Sequence, residues 1–382
     1  MASTCLVIPC FNEATRLDTA AFDAFLRDEK KSRGVAFVLV DDGSSDGTLA
    51  VLSALAAKHP ERIRALGLPK NQGKAEAVRQ GMLVAMADEQ IDYAGFWDAD
   101  LATPLEALEL FVATFERNVK LAVVFGARVA LLGRNIERRA SRHYSGRVFA
   151  TAASMVLGLP VYDTQCGAKL FKNDARGRAL FAKPFGSRWI FDVELLARYL
   201  KENPGAPDCD LYELPLDEWR DIGGSKVRAT DFIRSIGDMA AIHRAYRLPG
   251  PWRYFLDLVT SPIVQYAGTG AIGTALHYVV LIALVRRGLL APVPASTIGA
   301  ALGALVNAVL AWLLTRAGKK PLDVTLPRFL IASAAALGLN ALVLWFGLTR
   351  TPGHYLAAQI VASCAVLVFG FLINRGWHFD DA

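Results

Sequence analysis

Along the first 130 residues, short apolar runs alternate with longer amphipathic stretches. Leu6–Ile8, Ala36–Val40, Ile63–Leu68, Tyr93–Trp97 and Leu121–Phe125 are apolar or β-branched and bounded by Gly, Pro or Asp. Such runs predict buried strands. Between them, Ala20–Lys31, Gly47–Lys58, Lys74–Ala87 and Leu105–Arg117 predict helices; in the third, Ala77, Gly81, Val84 and Ala85 fall on one face. Strand and helix in alternation imply an α/β domain with a mostly parallel, Rossmann-like sheet. Ligands of such sheets sit at the carboxyl ends of the strands. Three predicted strands end there in polar residues: Asn12-Glu13, Asp41-Asp42 and Asp98-Ala99-Asp100.

The pattern changes toward the other end. Residues 258–285, 288–315, 329–349 and 351–374 are uncharged. About 20 apolar residues cross a hydrocarbon core of ~30 Å, so four membrane helices are predicted. Before them, residues 228–257 read as amphipathic helices broken at Pro249-Gly250-Pro251, and Trp252, Tyr254 and Phe255 suit a membrane-surface collar. The expected division is a soluble domain over 1–227, interface helices over 228–257 and an all-α membrane domain over 258–382.

Charge sharpens this division. The chain has 382 residues and a net charge of +6. Residues 1–260 hold 34 basic and 33 acidic side chains, whereas residues 261–382 hold 8 and 3. A nearly neutral soluble part argues against a nucleic-acid partner. The start, MASTCLVIP, lacks a signal-peptide pattern. With that end inside, Arg244, Arg247, Arg253, Arg316, Lys319, Lys320, Arg328 and Arg375 are cytosolic, against Arg286, Arg287 and Arg350 outside. The excess favours four spans with both termini and the soluble domain in the cytosol. The five cysteines are scattered without C-x-x-C spacing, which supports neither a zinc knuckle nor a disulfide framework.

Asp98 and Asp100, two apart after a strand, can share a hard divalent cation such as Mg²⁺ or Mn²⁺. The same pattern also suits the cap of a following helix. Val40–Thr48 (VDDGSSDGT) has glycines for a tight turn and leaves Asp41 and Asp42 for a base or ribose. Asn71-Gln72-Gly73-Lys74 opens a helix and could bring Lys74 to a phosphate. Arg128, Arg134, Arg138, Arg139, Arg142 and Arg147 face a single acid, Glu137. Arg138 and Arg142 are four apart, on one helical face.

These motifs, in this order, resemble the family-2 glycosyltransferases of GT-A fold, and more narrowly the polyprenyl-phosphate (dolichyl-phosphate) glycosyltransferases. The resemblance rests on PCFNE at 9–13, VDDGSSDGT at 40–48, NQGKAEAVRQGM at 71–82, DADL at 98–101 and GAR at 126–128. DTQCGAKLF at 163–171, RWIFDVELL at 188–196 and GGSK at 223–226 sit closest to the dolichyl-phosphate β-glucosyltransferases. The four spans and FLINRGWHF at 371–379 resemble the GtrA-like membrane domain. The resemblance implies a nucleoside pocket of Pro9, Phe11, Glu13, Asp41 and Asp42, flanked by Asn12, with Lys74 near a phosphate. It implies a metal on Asp98 and Asp100, beside Ala99. Some relatives add a Gln two positions later, where this chain has Ala102, so no third side-chain ligand is assigned. Arg128, Arg138 and Arg142 would meet the acceptor phosphate; lipid headgroups are the competing reading, favoured for Arg134, Arg139 and Arg147. Asp163, Gln165, Lys169 and Lys226 would line the acceptor side; Trp189 and Asp192 would shape the sugar pocket, unless Trp189 is core.

The implied reaction transfers one hexose from a nucleotide sugar, UDP-glucose first, to a polyprenyl monophosphate, with inversion. GDP-mannose or another UDP-sugar is the alternative donor. A processive synthase would carry Q-x-x-R-W, and no Gln stands three before Arg188. A lipid-linked sugar flippase is the remaining alternative, against which the intact Asp98/Asp100 pair speaks.

Overall fold

The structure is a computed structural model, and it describes residues 2–137, 140–204, 210–221, 229–259, 262–315, 322–351 and 353–378. Side chains at 140–145, 229–233, 262–269, 311–315, 322–330 and 371–378 are outside the description. The chain divides into two compact units, Met1–Asp257 and Leu258–Ala382.

The first unit is built on β1 (Thr4–Cys10), β2 (Val35–Asp41), β3 (Ile63–Gly67), β4 (Tyr93–Phe96), β5 (Val123–Ala127), β7 (Lys169–Lys172) and β8 (Leu211–Pro215). These form one sheet in the order β3-β2-β1-β4-β7-β5-β8. Every pairing is parallel except those of β7, which runs antiparallel to β4 and β5. A separate parallel pair joins β6 (Asn135–Glu137) to β9 (Glu218–Arg220). The chain moves outward from β1 through β2 to β3, then returns to β4 on the other side of β1. That reversal opens a crevice at the carboxyl ends of β1, β2 and β4, where open α/β sheets bind ligands.

The predicted strands are continuous apolar runs because the sheet is covered on both faces. Side chains alternate between two apolar layers. Val7, Val38, Val40 and Phe96 join one core with α4 (Lys74–Met86) and α8 (Phe191–Glu202). Leu6, Ile8, Phe37 and Leu39 join the other with α1 (Thr19–Arg27), α3 (Thr48–Lys58) and α5 (Leu108–Arg117). The helix expected over Ala20–Lys31 breaks at Asp28, which ends α1 and caps the short α2 (Glu29–Ser32) through Lys31 N–H. The last arginines of the cluster, Arg142 and Arg147, fall in α6 (Ala140–Leu157), and α7 (Ala175–Ala182) follows β7.

Of the expected collar, α9 (Ala229–Tyr246) has Met239 and Ile242 buried in the core of the first unit, while Ile236 is exposed. Asp257, in α10 (Arg253–Val259), has its Oδ1 2.8 Å from Nε2 of the buried His243. Trp252, Tyr254 and Phe255 are exposed.

The second unit comprises α11 (Pro262–Arg286), α12 (Pro292–Thr315), α13 (Leu322–Arg350) and α14 (Tyr355–His378). Among the described residues, Pro292–Leu310 and Ile331–Arg350 are long and apolar enough to cross a membrane. A side chain at Gly299 would lie 2.6 Å from the His277 carbonyl oxygen, and one at Gly303 2.5 Å from that of Gly273. Gly299 and Gly303, spaced as G-x-x-x-G, therefore let two backbones approach closely. Ser296 donates to Gln359 Oε1 (2.7 Å) and accepts from Asn340 Nδ2 (2.8 Å), and Gln359 Nε2 returns a bond to Asn340 Oδ1 (2.8 Å). Asn340 thus hydrogen-bonds across the bundle, as expected for an amide inside a span. Asn307 Oδ1 is buried without a hydrogen-bond partner among the described residues.

A Cβ at Gly81 of α4 would fall 2.2 Å from Val7 Cγ1 and 2.9 Å from Val40 Cγ2. Gly81→Val should overpack this layer at a cost of about 2 kcal/mol. Thermal unfolding of the full chain in detergent should then shift down by roughly 4–8 °C.

Candidate active site

Three loops meet at the carboxyl ends of β1, β2 and β4. The loop after β1 is tied to the loop after β2: Asn12 N–H donates to Ser44 Oγ (2.9 Å), Ser45 N–H to Asn12 Oδ1 (3.0 Å) and Glu13 N–H to Thr48 Oγ1 (2.8 Å). Asn12 itself sits at φ +52°. Pro9, Phe11 and Glu13 are half-buried beside this seam. Gly43 turns the β2 loop at φ +62°, where a Cβ would meet the Lys70 backbone at 2.3 Å.

The two aspartates after β2 do different work. Asp42 accepts from the backbone N–H groups of Gln72 (2.8 Å) and Gly73 (2.8 Å) and from Asn71 Nδ2 (2.9 Å). It therefore organises the 71–73 loop. Burial raises its carboxyl above the usual range despite those two backbone donors. Asp41 is buried, and its Oδ2 accepts from Ser44 N–H (3.2 Å). Its Oδ1 is buried with no hydrogen-bond partner among the described residues. A buried carboxylate oxygen without a donor is costly, and a ligand N–H or O–H would satisfy it.

Lys74, at the start of α4, reaches across to Asp98 with Nζ 2.5 Å from Oδ1. Burial alone would raise Asp98, but Lys74, Lys169 and Arg128 outweigh it and hold the carboxyl below the usual range. Burial likewise works against the Lys74 charge, and Asp98, Asp192 and Asp100 overcome it, so its ammonium is held on. Asp100 is raised by burial and by the Asp98 charge beside it. Its Oδ1 accepts from Ala102 N–H (3.1 Å) and so holds the 100–102 turn, whereas the following helix is capped at Pro104 without a side-chain bond.

A divalent cation fits here by donor chemistry. The carboxylates of Asp98 and Asp100 are hard oxygen donors, both partly open to solvent. No group of three or more His, Cys, Asp or Glu gathers among the described residues. Mg²⁺-type ions are commonly held by one or two carboxylates with the rest of the shell from phosphate and water. Ala99 is half-buried between the pair, and Ala102 is buried.

A second group of charges lies behind this pair. Lys169 is fully buried; its Nζ donates to Asp192 Oδ1 (2.6 Å) and the Cys166 carbonyl (2.6 Å). It faces the Phe96 ring at 5.3 Å. Arg128 spends its fork on Asp163, through Nε (2.6 Å) and Nη2 (2.8 Å), and stacks 5.2 Å over Trp219. Asp163 N–H in turn donates to Glu213 Oε1 (2.6 Å). Gln165 has a buried Nε2 with no partner among the described residues, and Trp189 is 44% exposed, so it is not a core residue. Arg138, Lys226 and the Arg142 side chain lie outside the described residues.

Sequence reasoning did not single out Glu213 or Gly167, and it used Arg188 only as part of a motif, with no site role. Arg188 bonds the Gln72 carbonyl (Nε, 3.0 Å) and Asn71 Oδ1 (Nη2, 3.1 Å). A Cβ at Gly167 would lie 1.9 Å from Asp98 Oδ2. Gly167 stood inside a quoted motif, which was the available signal; Glu213 carried none.

A mostly parallel α/β sheet with paired carboxylates and a lysine at its switch point defines a glycosyltransferase of GT-A fold. Residues 5–177 match the model of "Glycosyl transferase family 2", and residues 265–379 match "GtrA/DPMS, transmembrane domain". The chain is 32% identical over 272 residues to a dolichyl-phosphate β-glucosyltransferase of Trichomonas vaginalis, covering 69% of this chain and 77% of that one. Those of Drosophila melanogaster (33%; 65% and 76%) and Homo sapiens (30%; 65% and 76%) are similarly related. A solved glucosyl-3-phosphoglycerate synthase of Mycobacterium tuberculosis aligns at TM-score 0.45 and 16% identity, over 65% of this chain and 82% of that one. The chain belongs to the family-2 glycosyltransferases, and its GtrA/DPMS domain makes it a membrane protein.

Gly167→Ala should push the Asp98 carboxylate aside by about an ångström. Misplacement on that scale costs roughly 100-fold in rate. The expected result is a loss of glycosyltransfer of that order with a far-UV circular dichroism spectrum like that of the wild type.

Proposed function

We propose that the protein transfers a single glucose from UDP-glucose to the phosphate of dolichyl phosphate, or a similar polyprenyl monophosphate. The reading is carried by the Asp98/Asp100 pair with Lys74 at the switch point, in a chain 32% identical to a dolichyl-phosphate β-glucosyltransferase. Asp41, with its unpartnered buried Oδ1, is the side chain to contact the nucleoside. Asp42 holds the 71–73 loop that flanks it. Pro9, Phe11, Asn12 and Glu13 complete the pocket wall, and Lys74 stands at the phosphate side.

Asp98 and Asp100 would hold Mg²⁺ or Mn²⁺, which when bound stabilises negative charge on a diphosphate leaving group. The acceptor brings its own nucleophile. A phosphate monoester has a second pKa near 6, so its oxygen is anionic at pH 7 and no base need remove a proton. That oxygen forms a bond to the anomeric carbon as the bond to the diphosphate oxygen breaks and UDP leaves with the electron pair. One displacement inverts the centre, and an α-linked donor gives a β-linked lipid phosphate sugar.

Two anions must approach each other, so positive charge near the acceptor is required. Arg138 and Arg142 are assigned to the acceptor phosphate. Arg128, its fork held by Asp163, contributes field more than hydrogen bonds. Gln165 and Lys226 are placed on the acceptor side. Lys169, sealed under the site, is assigned to holding Asp192, with Trp189 and Asp192 shaping the sugar pocket. In the membrane part, α11 to α14 are read as four spans, with the catalytic unit and both termini on the cytosolic side. Residues 1–227 are the catalytic domain, 228–257 the interface helices and 258–382 the membrane domain.

The test offers UDP-glucose, UDP-galactose and GDP-mannose separately to the purified protein with dolichyl phosphate. Labelled lipid should form only with UDP-glucose and cease on chelation, returning with Mg²⁺ or Mn²⁺. Product from GDP-mannose alone would overturn the donor assignment. Asp100→Asn should abolish turnover without lowering the melting temperature, since it removes a carboxylate that burial and Asp98 disfavour as an anion. Arg142→Ala should raise the acceptor KM about tenfold, the scale of one charge-assisted hydrogen bond, and leave the donor KM unchanged. Equal changes in both would argue against an acceptor contact.

A further inference from the structure

Asp238 lies on α9, the helix that precedes the membrane part, and the catalytic motifs do not include it. Its Oδ2 accepts a 2.6 Å hydrogen bond from Ser187 Oγ, and Ser187 is buried. With its proton directed to Asp238, Ser187 Oγ presents lone pairs to two backbone donors. It accepts from Ile190 N–H at 3.0 Å and from Trp189 N–H at 3.3 Å. Those donors belong to the turn that opens α8, where helix N–H groups lack intrahelical partners.

The same turn is held from a second side. Glu194 Oε2 accepts from Gly186 N–H (2.8 Å) and Ser187 N–H (3.1 Å). Its Oε1 accepts from Arg198 Nη2 (2.8 Å) and from Tyr246 Oη (3.1 Å), and Tyr246 is also on α9. Residues 186–190 are therefore fastened to α9 at two points, Asp238 and Tyr246.

The turn has an output on its far side. Arg188 projects from it to bond the Gln72 carbonyl and Asn71 Oδ1. Residues 71–73 are the segment that Asp42 holds by two backbone amides and one side-chain amide. Hydrogen bonds joined by the Ser187-Arg188 backbone thus run from α9 to the 71–73 loop.

We propose that Asp238 is a positioning residue for the donor site, fixing the 186–190 turn through Ser187 so that Arg188 holds the 71–73 loop closed over the nucleotide-sugar pocket. The inference rests on the reading of that pocket as the donor site. It adds that α9 sets the geometry of that pocket from outside it. Apolar packing alone would anchor α9 by Met239 and Ile242; it would not need a carboxylate aimed at a serine that organises a helix start.

The test uses the full-length protein in detergent with two variants, Asp238→Ala and Asp238→Asn; the amide retains an acceptor oxygen for Ser187. Hydrogen exchange is followed on peptides covering 186–191 and 70–75. Asp238→Ala should speed exchange in both peptides, and Asp238→Asn should restore wild-type rates. In the transfer assay, Asp238→Ala should raise the UDP-glucose KM about tenfold, the scale of one hydrogen bond to a charged group. The dolichyl-phosphate KM should stay within twofold. If Asp238→Ala does not yield folded protein, Arg188→Ala cuts the same chain at its other end: exchange should speed in 70–75, and the UDP-glucose KM should rise while the dolichyl-phosphate KM stays within twofold. Faster exchange confined to 186–191, or donor and acceptor KM rising together, would overturn the proposal. The exchange result needs no donor, so it stands apart from a wild type that fails to use UDP-glucose, which would overturn the donor reading itself.

Discussion

Burial works against a charge on Asp98, and Lys74, whose Nζ lies 2.5 Å from its Oδ1, together with Lys169 and Arg128 holds the carboxyl below the usual range. The arrangement draws on three distant parts of the chain. Lys74 comes from the start of α4, Asp98 from the end of β4, and Gly167 leaves the space that the Asp98 carboxylate fills. Parallel pairing of β1 with both β2 and β4 brings these ends to one edge. The continuous apolar strands thus serve the site by setting where their polar ends fall.

Carboxylates also hold the loops in shape. Asp42 gathers the amides of the 71–73 loop, Glu194 those of the 186–187 turn, and Glu213 those of Tyr162 and Asp163. Each is an acceptor-only group meeting backbone donors that lack strand partners. The membrane unit solves a related problem with neutral groups. Ser296, Asn340 and Gln359 close a hydrogen-bonded ring among three helices, so their polar atoms satisfy one another without charge.

Much of the first unit was legible because its signals are local. Strand β2 ends at Asp41, within one residue of the predicted run, since apolar content and the following Asp-Asp-Gly turn both act there. Strands β7 and β8 were not anticipated: Lys169–Lys172 is four residues long and flanked by lysines. Its strand identity comes from pairing with β4 and β5, a tertiary effect that overrides local pattern. The same divide runs through the site. Asp98, Asp100 and Lys74 were readable from their motifs, and their juxtaposition followed from the fold. That Asp42 would bind backbone while Asp41 kept an open oxygen depends on side-chain direction, which adjacent identical residues do not reveal. Lys169 carries the same lesson, because a lysine in a polar motif looks exposed until the Phe96 ring and Asp192 enclose it.

The charges around Asp98 also bear on how two anionic partners could share one site. Lys74, Lys169 and Arg128 all act on this carboxylate, yet each has its own acidic partner: Asp98, Asp192 and Asp163. With Asp100 beside these three pairs, the immediate shell holds no surplus positive charge, which limits how strongly it alone could attract a diphosphate. Positive charge surplus to those pairs must come from elsewhere. Along the chain, Arg138, Arg139, Arg142 and Arg147 follow Arg134 with Glu137 as the one acid among them in sequence, and Arg134 itself pairs with Asp217. On the proposed reading, an inner shell without surplus positive charge and a basic segment after it would separate two tasks: holding reactive groups in register, and overcoming the repulsion between incoming phosphates. Exposed charges act at long range and are screened by salt, whereas buried pairs are screened much less.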